Sequence, residues 1–345
     1  MAKLKLGYNT GYWSAGPPNG ALEAVQEAER LGFNSVWTAE AYGSDALTPL
    51  AWWGAQTQNI QLGTAIMQMS ARTPTAAAMA AITMDHLSNG RFILGLGASG
   101  PQVVEGWYGQ PYPRPLERTR EYIDIVRQVF AREAPVQFDG KHYQLPFDGG
   151  ANLGKALKPT VHPLRNDIPI YLAAEGPKNV ALSAEIADGW LPLFFSPKDD
   201  AFYREQLDKG FAASGNPAKR DNFAVTATVS IVPGDNVQEC ADMIRPFLAL
   251  YAGGMGAKEA NFHYEVFERM GYGDVADKVQ NLYLEGKKQE AAASIPLEMV
   301  EDVALVGPAG KIKEELTKWE DSCITELLLS GPAMMLPQYA DIILG

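Results

Sequence analysis

Residues 95 to 100 read GLGASG, and the spacing G-x-G-x-x-G can bring backbone amides close to a pyrophosphate. Dinucleotide folds use that pattern directly after their first strand, where it opens a helix at once and meets an acid about 20 residues later. Here three strand-like segments come first. The following "PQVVEGWYGQPYPRP" is so rich in proline and glycine that no helix is expected before about Leu116. The Rossmann reading fails, and two readings stay open. The run is either a backbone cradle for a ligand phosphate at a strand end, or a tight turn without a ligand. Other chemistries find less support. His86, His142, His162 and His263 have no paired-ligand spacing, and Cys240 and Cys323 stand far apart, so no metal site is expected. There is no G-x-S-x-G elbow for a serine hydrolase.

The elements that must position this run are legible from periodicity. "KLKLGYN" alternates as a strand, and "ALEAVQEAERLG" sets Leu22, Val25, Ala28 and Leu31 on one helical face, stopped by Gly32. "NSVWTAE" reads as strand, "LTPLAWWGAQTQ" as helix and "IQLGTAIM" as strand. "TPTAAAMAAITMDHLSNG" follows as a helix with Thr73 as cap. The alternation continues to give eight strand candidates, near Leu6, Val36, Gly63, Ile93, Tyr171, Leu193, Thr228 and Leu327. Eight apolar strands alternating with helices predict an α/β fold, a (β/α)8 TIM barrel, with its active site at the C-terminal strand ends. A single domain over residues 1–345 is expected, with loop insertions at about 134–167 and 250–300. The first carries Asp139-Gly140 as a hairpin turn signal.

The 345 residues carry a net charge of −12, which disfavours nucleic acid and anionic membrane as partners. An anionic small molecule remains acceptable, because oriented backbone dipoles dominate inside a cleft. The opening "MAKLKLGYNTGYW" has no signal-peptide pattern, and no window approaches the roughly 18 apolar residues of a membrane span. Two lone cysteines fit a reducing cytoplasm.

Three stretches carry a family resemblance: "IQLGTAIM…TPTAAAMAAITMDHLSNGRFILGLGASGPQ", "IPIYLAAEGPKNVALSAEIADGWLP" and "GPAGKIKEEL…CITELLL". In this order they resemble the luciferase-like superfamily, and within it the coenzyme F420-dependent (deazaflavin) oxidoreductases of actinobacterial type. The likeness implies a TIM barrel and a non-prolyl cis peptide in the third strand that supports the cofactor ring. Thr64, Ala65 and Ile66 match that segment, with the cis bond between Ala65 and Ile66. It also implies that Gly97, Ala98, Ser99 and Gly100, with Glu175, Gly176, Pro177 and Lys178, approach the cofactor's phosphate end. Glycine amides, a serine hydroxyl and a lysine can all donate to phosphate oxygens. Lys178 has an equally plain alternative as a solvated lysine at a helix start.

The catalytic carry-over departs from the family. Sugar-phosphate dehydrogenases of this group carry an acid–histidine pair after the second strand, and the matching residues here are Glu40 and Ala41. Their glutamate after the fourth strand is matched by Gly100. Both departures argue against sugar-phosphate chemistry. Glu40 is left as the catalytic candidate, an acid/base group if desolvated, or else a carboxylate that only bonds neighbouring amides. Tyr42, Trp107 and Tyr108 are candidate pocket aromatics. The expected function is F420-dependent hydride transfer with an unidentified small-molecule substrate, in a cytoplasmic homodimer. The alternatives are an FMN-dependent monooxygenase of the same superfamily and a cofactor-binding protein without turnover.

Overall fold

The computed structural model describes residues 4–255 and 261–345. Eight parallel strands close into a barrel. They are β1 (Lys5–Asn9), β2 (Ser35–Thr38), β3 (Gln61–Thr64), β4 (Phe92–Gly97), β5 (Ile170–Ala173), β6 (Gly189–Leu191), β7 (Ala224–Thr228) and β8 (Glu326–Leu329). Each pairs with its chain neighbours, and β1 pairs with β8 to complete the ring. The strands are apolar because both faces are covered. Leu6, Val36, Leu62, Phe92, Leu94, Ile170, Trp190 and Val225 pack outward under the helices. Trp37, Ile93, Leu191 and Leu328 fill the barrel interior with Ala65, Ile66, Tyr171 and Ala173. Trp37 and Tyr171 stack there with centroids 5.8 Å apart. Gly63 makes room for that stack, since a Cβ at Gly63 would lie 2.3 Å from the Trp37 ring.

The helices start where local chemistry lets them. Thr73 Oγ1 accepts the Ala76 amide at 3.3 Å and Pro74 takes the first turn of helix Pro74–Leu87. Contrary to expectation, a helix also opens directly after the glycine run, at Pro101–Gly106. Proline at the first helical position loses no hydrogen bond, and the following "QVVE" propagates until Gly106. The long helix then begins at Pro115 and runs to Ala131.

Three strand boundaries depart from the sequence pattern. "IQLGTAIM" breaks after Thr64 at a cis Ala65–Ile66 peptide and resumes as the short strand Met67–Gln68. The sixth strand ends at Leu191, because Pro192 has no amide to donate and Phe194 takes a left-handed φ of 57°. Leu193 keeps only one bridge, to Thr228. Beyond β7 the extended chain continues as Ser230–Pro233, which pairs in parallel with Ala304–Gly307, a strand that periodicity did not reveal.

The two expected insertions differ in character. In the first, Phe138–Asp139 and Gln144–Leu145 form a short antiparallel hairpin. Glu121 holds its turn by accepting the amides of Lys141, His142 and Tyr143 at 2.9, 2.8 and 3.1 Å. The second is helical at Phe262–Phe267, Gly273–Leu284, Lys288–Ala293 and Leu297–Glu301, with residues 256–260 outside the described residues. A second hydrophobic core around Leu248, Phe267, Val279, Met299 and Val306 packs these helices beside the barrel.

Candidate active site

At the C-terminal end of β2 the backbone ties directly to the break in β3. The Ala65 amide donates to Thr38 O at 2.6 Å, and the Glu40 amide to Ile66 O at 3.0 Å. Thr64 is clamped from the other side: its hydroxyl donates to Gly95 O at 2.7 Å and accepts the Gly95 amide at 2.9 Å. Gly95 has no space for a side chain, because a Cβ there would stand 1.7 Å from Thr64 O. A Cβ on Gly97 would meet Ile66 Cδ1 at 2.5 Å. The first glycines of GLGASG therefore serve close packing against the β3 break, which leaves Ser99 and Gly100 free for a ligand.

The Glu40 side chain is buried and fully engaged. Its Oε1 accepts the Gln68 amide at 2.8 Å and Arg72 Nη1 at 2.6 Å, and its Oε2 accepts the Ala46 amide at 3.1 Å. Arg72 Nη2 continues to Asp45 Oδ1 at 3.0 Å. Burial pushes the Asp45 carboxyl up, but hydrogen bonds from Thr48 and the Leu47 amide, with Arg72 nearby, outweigh it and leave the group below its ordinary range. These residues form one wall of a cleft of about 270 Å³, whose opposite wall is Trp107 and Tyr108. Tyr108 donates to Ala41 O at 3.0 Å, and burial with the Glu40 charge holds its phenol above the usual value. Tyr42 and Trp107 are largely exposed on the rim.

The two expected phosphate-end loops lie on neighbouring strands, β4 and β5. Ser99 takes a left-handed φ of 59°, an uncommon conformation for a residue with a side chain. Gly100 and Gly176 each stand at the start of a helix, and a Cβ on either would meet nothing closer than 3.5 Å. Among the described residues no acceptor meets the Gly100 or Gly176 amide. Pro177 and Lys178 are exposed at the start of helix Pro177–Ile186, and Lys178 has no partner among the described residues.

Three residues at this mouth were not singled out from the sequence. Arg72 precedes the helix cap at Thr73 and reads locally as a solvated cation. Tyr251 and His263 come from the second insertion, and no local signal places them over the barrel. His263 Nδ1 lies 2.7 Å from Glu175 Oε1, both side chains nearly buried, with the carboxylate off the ring's donor axis. Phe194, Tyr251 and Phe262 enclose the imidazole edge-on. Burial, with Tyr12, Glu175 and Tyr42 nearby, holds the Tyr251 phenol well above its ordinary value. Loops from β1, β2, β5 and β6 thus converge with the insertion.

A mouth of this kind offers amide donors for an anion, the half-buried side chains of Ala65 and Ile66 at the β3 break, and a side cleft for a small organic molecule. Among the described residues no cluster of three or more histidines, cysteines or carboxylates stands close enough to hold a metal.

Comparison with known proteins identifies the family and the fold. The family described as luciferase-like monooxygenase matches residues 5–326. A protein of Mycobacterium tuberculosis, provisionally named a coenzyme F420-dependent oxidoreductase, is 57% identical over 332 residues, 96% of each chain. The 5,10-methylenetetrahydromethanopterin reductase of Archaeoglobus fulgidus is 29% identical over 317 residues, covering 89% of this chain and 88% of its own. Among solved structures, the coenzyme F420 dependent tetrahydromethanopterin reductase of Methanopyrus kandleri superposes with a TM-score of 0.82 over 99% of each chain, at 20% identity, a likeness of fold.

Proposed function

The chain belongs to the luciferase-like monooxygenase family, and on that premise we propose that it is an F420-dependent oxidoreductase acting on a small organic substrate. The observation that carries this reading is the 57% identity, over 96% of both chains, to a protein named for that activity.

The residues present fit the cofactor. Gln68 is 2 % exposed beside the β3 break, yet its Oε1 has no partner among the described residues, and the buried Ser70 Oγ has none either. Buried polar atoms left without partners are rare in proteins and call for an unseen group. Gly100 and Gly176 leave the open backbone that a phosphate requires, and Ser99 and Lys178 add donors beside it. In this reading Thr64, Ala65 and Ile66 back the ring, and residues 97–100 and 175–178 hold the phosphate end. A bound deazaflavin would supply two-electron hydride chemistry; the chain supplies position and charge. Glu40, with both oxygens engaged, orders Arg72 and the Tyr42–Asp45 wall of the cleft. The substrate then enters between that wall and Trp107 and Tyr108.

We also propose a homodimer in the cytoplasm, supported by the family resemblance and by two free thiols, Cys240 and Cys323. FMN is the alternative cofactor, and titration of the purified chain with F420 and FMN in parallel tests the choice. Saturable F420 binding at least tenfold tighter than FMN is expected. Tighter FMN binding would move the protein to the oxygen-activating branch of its family.

A further inference from the structure

An acid in a loop that receives a phosphate needs an explanation, because Glu175 stands directly before Gly176 and its carboxylate would repel the anion. The insertion supplies one. His263 brings Nδ1 to 2.7 Å from Glu175 Oε1, and Arg269, one turn and a half further on, donates from Nη2 to Glu175 O at 3.0 Å. The loop after β5 is thus held at its side chain and its backbone by one inserted segment. The placement is built rather than incidental. Asn261 caps the segment, accepting the amides of His263 and Tyr264 at 3.0 and 3.1 Å, and its own amide group reaches back to Tyr251 O and Ala252 O at 3.0 Å each. Phe262, beside it, faces the other expected phosphate loop: its Cζ would lie 3.5 Å from a Cβ placed on Gly100. Phe194, held at a left-handed φ, packs its ring against His263 and Phe267. Glu175 Oε2 is buried and has no hydrogen-bond partner among the described residues, and two basic side chains reach the residue, His263 at its carboxylate and Arg269 at its carbonyl. Surrounded by aromatic rings, the pair is poorly screened by water.

We propose that His263 and Glu175 form a neutralising pair that lets an acidic loop accept the cofactor's phosphate end, so that the second insertion is a working wall of the cofactor site. This rests on the proposed placement of the phosphate between residues 97–100 and 175–178. The pair acts through charge, and charge gives it a signature that packing alone does not. Removing His263 leaves a carboxylate facing the anion, so affinity falls. Removing Glu175 as well takes away the repulsion, so affinity returns.

The test is a double-mutant cycle on the full-length chain, read by fluorescence titration with F420 and with FMN at low and high salt, alongside melting temperature. His263→Gln should weaken F420 binding at least tenfold at low salt and less at high salt. Glu175→Gln should bind at least as tightly as wild type, and the double variant should return to within threefold of it. Losses that add in the double variant, or a His263→Gln affinity equal to wild type, would overturn the pair. Should His263→Gln melt more than a few degrees early, Glu175→Gln alone decides, and weakened binding in it refutes the proposal. If wild type binds FMN and not F420, the cofactor reading falls while the same cycle with FMN still judges the pair. Binding of neither overturns both.

Discussion

Arg72 Nη1 lies 2.6 Å from Glu40 Oε1, and the pair joins the loop after β2 to the segment that follows the break in β3. Glu40 also accepts the amides of Gln68 and Ala46, so one carboxylate ties both stretches together through backbone as well as side chain. A buried carboxylate with all its donors in place organises what surrounds it, and losing it strands a guanidinium and two amides. Glu40→Ala is therefore expected to cost roughly 2–4 kcal/mol in urea unfolding and to weaken cofactor binding. Glu40→Gln should show the same effects in smaller measure. An acid–base role would look different: Glu40→Gln would keep wild-type stability and cofactor affinity and lose turnover alone.

The glycines of GLGASG and the loop after β5 divide into two kinds, and substitution should separate them. Gly95→Ala forces a methyl to 1.7 Å from Thr64 O, so the barrel must open locally, at a cost of about 3 kcal/mol or more. Gly176→Val meets nothing within 4 Å of its Cβ, Gly100→Ala makes only ordinary contact with Gln102 and Phe262 at 3.5 Å, and both positions already hold an extended backbone. These two variants should melt like wild type yet bind F420 at least tenfold more weakly, about 1.4 kcal/mol. Normal F420 binding by both would remove the phosphate from this face.

The barrel was readable from sequence because its strands are buried on both faces and its helices are amphipathic, which are local properties. The glycine run and Glu40 were readable because strand ends follow from strand positions. What stayed hidden is non-local. Nothing near His263 reports that its helix lies over β5, and nothing in "EDVALVG" reports that Ala304–Gly307 will pair with the chain leaving β7. The helix at Pro101–Gly106 was lost for another reason. Proline and glycine were read as breakers, whereas here Pro101 begins the helix and Gly106 ends it.

Trp37 offers a check on the barrel interior. It is fully buried, stacks on Tyr171 and donates from Nε1 to Ser35 Oγ at 2.5 Å. Gly63 opposite cannot refill the space left by truncation. Trp37→Ala is expected to cost about 3–5 kcal/mol in denaturant unfolding. A loss below about 1 kcal/mol would mean that the interior collapses around the void, and that the stack does not set the barrel floor.

Glu326 ties stability to pH at the opposite end of the barrel. Its side chain is buried at the start of β8, where Oε1 accepts from Ser35 Oγ at 2.5 Å and Asn34 Nδ2 at 3.0 Å. Burial pushes its carboxyl pKa up, and the hydrogen bonds from Ser35 and Asn34, with Lys5 nearby, offset only part of that rise. A raised folded-state pKa means that the folded chain binds more protons than the unfolded chain between the ordinary value, about 4.3, and the raised one. Stability from this group is then fully present below the ordinary value and is lost as pH rises through the raised one. Glu326→Gln keeps the shape and the acceptor oxygen without the titration. Its melting temperature relative to wild type should therefore climb as pH increases from about 4.5 toward 8, and the variant should be at least as stable as wild type at the upper end. Thermal melts of both proteins across that range provide the measurement. A difference that stays constant with pH, or that grows in favour of wild type, would mean that the hydrogen bonds outweigh burial and hold Glu326 as a stabilising anion.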